Sequence, residues 1–124
     1  MADIQKFPVA TITEVDGSIG FSQELDNGSK SASFNIDFST DQKQRATLTA
    51  NTMTLTLDTT DTLVGNYVLK LVNGWLATLT WASETGSVKW SSGTAPTLTS
   101  SGTDLVSLYY DWTDWYGQAG LNFS

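Results

Sequence analysis

Neither cysteine nor histidine occurs in this chain. Without cysteine, a disulfide framework and a thiolate metal site are both excluded. Without histidine, the usual neutral-pH proton shuttle and the commonest metal ligand are missing. Cations are scarce as well: Lys6, Lys30, Lys43, Arg45, Lys70 and Lys89 are the only ones, and they are scattered. No basic run exists to follow a phosphate backbone or an anionic lipid surface, so neither nucleic acid nor membrane is expected as a partner. No stretch approaches the ~20 apolar residues that cross a bilayer. The first six residues, Met1 to Lys6, carry no apolar run of signal-peptide type, which points to synthesis in a cytoplasm. Proline occurs only at positions 8 and 96, and no long 3.6-residue apolar period appears, so helix signals are nearly absent.

The 124 residues amount to one domain, with a net charge of −7 that favours solubility. Nine of the thirteen acidic residues precede Leu63, whereas all five tryptophans follow it. Threonine and serine make up roughly a quarter of the chain, and threonine suits the wet face of a sheet. Period-2 alternation recurs throughout. Ala32, Phe34, Ile36 and Phe38 share one parity, which reads as a half-buried antiparallel strand. Asn27-Gly28 precedes it and Asn73-Gly74 separates two further alternating runs; Asn-Gly in such a setting predicts a type I′ hairpin each time. The parity switch between Leu48 and Met53 predicts a turn or bulge at Asn51-Thr52. Leu105 to Tyr110 reads as a central strand, Asp111 to Asp114 as a turn, and Trp115 onward as a last strand. No solenoid-type repeat is visible. The expected fold is all-β: an antiparallel β-sandwich of jelly-roll type with eight or nine strands over residues 17–124. Residues 1–16 are expected to be an arm or edge strand, with Phe7 and Val9 as contact residues, since Pro8 lacks a backbone donor and alternation there is weak.

Few constellations could carry chemistry. Asp111 and Asp114 flank Trp112, yet two aspartates in a tight turn usually bond their own backbone, and a glycosidase pair needs one raised pKa across a cleft. The Asp58–Thr62 loop offers oxygens to a cation but lacks the glycine and downstream glutamate of a calcium loop. Asn27-Gly28-Ser29 formally matches a glycosylation acceptor and is better taken as the hairpin turn. No enzyme activity, metal or cofactor is therefore expected. Trp75 and Trp81 share the parity of Ala77 and Leu79, which places them in the core. Trp112, Trp115 and Tyr116 cluster around a turn and are hard to bury together. They fit a sugar-stacking platform, a protein-interface anchor, or packing beneath the last loop.

Several phrases together carry a family resemblance. They are Ala46 to Thr52, Tyr67 to Val72, Thr80-Trp81-Ala82, Ser87 to Thr99 with its Trp90-Ser-Ser-Gly-Thr-Ala-Pro-Thr-Leu98 run, Asp104 to Asp111, and Trp115-Tyr116-Gly117. This pattern resembles a β-rich module of tail-fibre and other virion surface proteins of tailed bacteriophages, over about the last two-thirds of the chain. Fibre modules usually follow a shaft, and only a short segment precedes Ile19, so the resemblance favours a capsid decoration (cement) protein. It implies a non-catalytic homotrimer located on the virion, with the major capsid protein or another virion protein as partner. A short tail-fibre or tip protein that binds a host surface glycan, and a carbohydrate-binding module, are the alternatives.

Overall fold

Alternating side chains become strands along the whole described chain. The computed structural model describes residues 23–75 and 78–124. Phe7, Val9 and the rest of the expected arm lie outside these residues. Nine strands follow in order: β1 (Leu25–Lys30), β2 (Phe34–Ile36), β3 (Lys43–Leu48), β4 (Thr52–Leu57), β5 (Gly65–Asn73), β6 (Thr78–Ser83), β7 (Val88–Trp90), β8 (Thr103–Tyr110) and β9 (Trp115–Phe123). A 3-10 turn, Ser91–Gly93, follows β7. The all-β expectation holds.

The alternation sorts each strand into an inner and an outer row. Gln44, Ala46 and Leu48 of β3 point inward, as do Met53, Leu55 and Leu57 of β4 and Tyr67, Leu69 and Leu71 of β5. Val106, Leu108 and Tyr110 of β8 join them, with Ile36, Phe38 and Trp115, in one continuous core. Burying each of these aliphatic side chains contributes on the order of 1.5–3 kcal/mol. An aromatic group closes one end: Trp115 stacks on Tyr110 at 4.5 Å between ring centroids, and Phe38 lies 4.9 Å from Tyr67.

The connectivity differs from an antiparallel jelly roll. The strands form a six-stranded sheet in the order β1-β3-β5-β8-β9-β7 and a three-stranded sheet β2-β4-β6. Only β5/β8 and β8/β9 are antiparallel; β1/β3, β3/β5, β2/β4, β4/β6 and β7/β9 are all parallel. From β1 to β6 the chain visits the two sheets alternately, each strand lying on the one laid down a circuit earlier. The corners stack too. On one side Thr49 N donates to Lys30 O and Gly74 N to Leu48 O; on the other Asp58 N donates to Ile36 O and Glu84 N to Leu57 O, each at 2.9 Å. Over the described residues this is a short β-solenoid of three circuits, completed by the β8–β9 hairpin and β7. Leu25 sits beside Gln44, and Gln44 beside Leu69. The circuits are thus unequal, and no fixed sequence period exists.

Neither Asn-Gly pair makes a hairpin. Gly28 does adopt the expected positive φ, +79°, but as part of a bulge inside β1 where the register with β3 slips between Asp26 and Ser29. The bulge is held by Gly28 N donating to Asp26 Oδ1 at 2.8 Å and by Asn27 Nδ2 donating to Gln44 Oε1 and to Arg45 O. Buried Gln44 in turn donates to the carbonyls of Asp37 and Asp41, tying the next loop to the same point. At Asn73-Gly74 the chain leaves the large sheet for the small one, and Asn73 N donates to Gly102 O. The turn expected at Asn51-Thr52 is present as a corner between sheets. The last hairpin forms as expected at Asp111–Asp114.

Candidate binding face

The outer face of the large sheet gathers exposed aromatic, polar and charged side chains. Register aligns them in rows across the strands. One row runs Asn66–Tyr109–Tyr116–Lys89 over β5, β8, β9 and β7. The next runs Lys43–Val68–Ser107–Gln118, and a third Asp26–Arg45–Lys70–Leu105–Gly120. The first row carries the two tyrosines, the second passes from Lys43 and Val68 to the polar Ser107 and Gln118, and the third is charged from Asp26 to Lys70. Threonines cover the outer face of the small sheet, with Thr52 opposite Thr78 and Thr54 opposite Thr80.

Tyr109 and Tyr116 are cross-strand partners with ring centroids 6.3 Å apart, each 42% exposed. The Lys89 ammonium sits 5.7 Å from the Tyr116 ring centre and 3.1 Å from Asp114 Oδ2. That contact holds Lys89 above its ordinary pKa. A hydrogen bond to the Asp111 carboxylate raises the Tyr116 phenol likewise. The Tyr116 phenol thus keeps its proton at neutral pH. Where β7 stops opposite Gly117, the edge of the sheet steps down. A groove of about 330 Å³ opens there, lined by Lys89, Trp90, Ser91, Ser107, Tyr116 and Gln118.

Alternation splits the aromatic cluster of the last turn. Trp115 faces inward, is fully buried, and donates from Nε1 to Ser83 Oγ at 3.1 Å. Tyr116 faces outward, and Trp112, at φ +81°, stands 67% exposed at the turn tip. Trp75, expected in the core, is 70% exposed, because it follows the last residue of β5 at the corner and belongs to no strand. Trp81 does pack against the core, edge-on to Trp90 at 4.9 Å. Tyr109, Ser107 and Gln118 were not singled out from the sequence. The signal was available: once Asp111–Asp114 is a hairpin turn, counting outward pairs Tyr110 with Trp115 and Tyr109 with Tyr116.

The aspartates of that turn are structural. Asp111 Oδ1 accepts from the backbone N–H of Asp114 and Thr113, and these bonds hold its carboxyl below the ordinary value. Asp114 accepts from Ser87 N and Oγ and pairs with Lys89, with the same effect. Neither is the raised-pKa acid that glycoside cleavage requires. In the Asp58–Thr62 loop the amides of Thr59 and Thr60 both donate to Glu84 Oε1, and Asp58 accepts from Asn35. Among the described residues no group of three or more carboxylates is placed to hold a metal ion. No helix among them is long and apolar enough to cross a membrane.

No family model matches the chain, nor does any curated protein or solved structure.

Proposed function

We propose that the chain is a structural protein of a tailed-phage virion, decorating the capsid surface and stabilising the shell as a non-catalytic homotrimer. The observation that carries this reading is the placement of large apolar side chains in solvent at both ends of the strands. Leu63 and Val64 precede the first pair of β5 and β8, and Trp112 follows it, so all three share one end. Trp75 and Phe123 lie at the other, where β5 and β9 finish. Side chains of this size are the usual anchors of protein–protein contacts, and an isolated soluble domain has little use for them exposed. Two apolar ends suit a body held between neighbours, one end meeting copies of itself and the other the shell. The resemblance of Ser87–Thr99, Asp104–Asp111 and Trp115–Gly117 to virion surface modules supplies the setting.

Sedimentation with particles stripped of the chain tests this. The wild-type protein should co-sediment, and Trp75→Ser or Trp112→Ser should weaken binding by roughly tenfold or more, as for a buried interface anchor. Equal binding by both variants would remove the carrying observation.

A further inference from the structure

The groove at the end of β7 has a chemical character of its own. The cross-strand pair Trp90 and Gly117 lies at its base, the indole packed inward against the core and so close to Gly117 that a Cβ there would run into it. Its walls mix an aromatic ring, Tyr116, with a primary amide, Gln118, and the hydroxyls of Ser107 and Ser91. The Ser107 and Gln118 side chains make no hydrogen bond with any described residue, so their donors and acceptors face solvent. Tyr109 extends the aromatic surface across the adjacent strand. Three cations of this face are paired with carboxylates. Lys89 is paired with Asp114, Arg45 with Asp26 at 2.9 Å, and Lys70 with Glu24 at 3.3 Å.

We propose that this groove and the Tyr109–Tyr116 pair form a binding site for a neutral polysaccharide chain. A pyranose presents an apolar C–H face and a rim of hydroxyls. The C–H face stacks on a tyrosine ring, and the hydroxyls are met by amide and hydroxyl groups such as those of Gln118, Ser107 and Ser91. An anionic chain would have to displace Asp114 from Lys89, and a cationic one would find no unpaired carboxylate on this row. A protein partner would seek a larger apolar patch than two half-exposed tyrosines. The groove volume matches the lower end of small-ligand sites, enough for one sugar unit, with Tyr109 placed to stack the next. This site does not depend on the proposed virion location and can fail or stand without it.

The test is titration of the isotope-labelled full chain with neutral hexasaccharides of glucose, mannose and N-acetylglucosamine, followed by amide NMR. At least one of them should shift amides of β7, β8 and β9 selectively. Tyr116→Ala and Gln118→Ala should each weaken that binding by roughly tenfold, whereas Trp75→Ala should leave it unchanged. Both residues are exposed, so unchanged spectra elsewhere will show that the variants fold. Absence of saturable shifts with all three sugars, or shifts confined to other surfaces, would overturn the proposal.

Discussion

Trp112 and Trp115 show how little residue type alone decides. Three positions apart, one stands at the tip of a turn and the other is sealed between Tyr110, Tyr67 and Phe38. Replacing Trp115 by alanine should cost about 3–5 kcal/mol, read as a lowered denaturant midpoint, because cavity and transfer terms add. Trp112→Ala should stay within about 0.5 kcal/mol of wild type in the same measurement. The contrast was legible once the turn had been placed, since alternation from Asp114 onward sends Trp115 inward and Tyr116 outward. Asp104 was not legible. Its carboxylate is fully buried and accepts from Thr99 N at 2.6 Å and Asn122 N at 2.8 Å, clamping the segment before β8 to the end of β9. An acidic residue in an alternating strand reads as outward-facing, and only the surrounding backbone reveals the clamp. Asp104→Ala should destabilise by about 1–3 kcal/mol, because the part-buried amides of Thr99 and Asn122 lose their shared acceptor.

At the level of elements, most strand positions and the last hairpin were readable, whereas β1, whose Asp26-Asn27-Gly28 reads as a hairpin turn, and the strand pairing were not. Alternation reports which side chains face the core and is silent on whether the neighbour runs parallel or antiparallel. Asn-Gly reports a need for positive φ, which a bulge satisfies as well as a hairpin does. The Asp111–Asp114 turn differs because its aspartates fix it locally. Those carboxyls also make it sensitive to acid. Both folded-state pKa values are depressed, Asp111 by backbone N–H donors and Asp114 by Ser87 and Lys89, from an ordinary value of 3.8. Their stabilising contribution is therefore present above that value and lost as pH falls through the folded-state pKa. Hydrogen exchange at Ser87 and Thr113 should accelerate selectively below the ordinary carboxylate range, ahead of global unfolding. Exchange at those amides that simply tracks the core would contradict this assignment. Gly117→Ala probes the neighbouring strand pair: the added Cβ must push Trp90 aside, at a cost of about 1–3 kcal/mol.

For the whole molecule, the solenoid explains why one chain can present separate surfaces. Its two sheets expose flat outer faces, one threonine-covered and one carrying the tyrosine row, while its strand ends carry Trp75, Trp112, Leu63 and Phe123. None of this division was visible in the sequence, because unequal circuits hide the repeat and the corners place Trp75 outside any parity. In the proposed arrangement the ends hold the protein to its neighbours and the tyrosine face stays open. Light scattering at micromolar concentrations should then give three times the chain mass. The most direct measurement is cryo-electron microscopy of intact particles. The expected result is density for this nine-stranded body, in threes, on the outside of the capsid shell. Particles that carry no such density, and whose proteins by mass spectrometry do not include the chain, would contradict the proposed function.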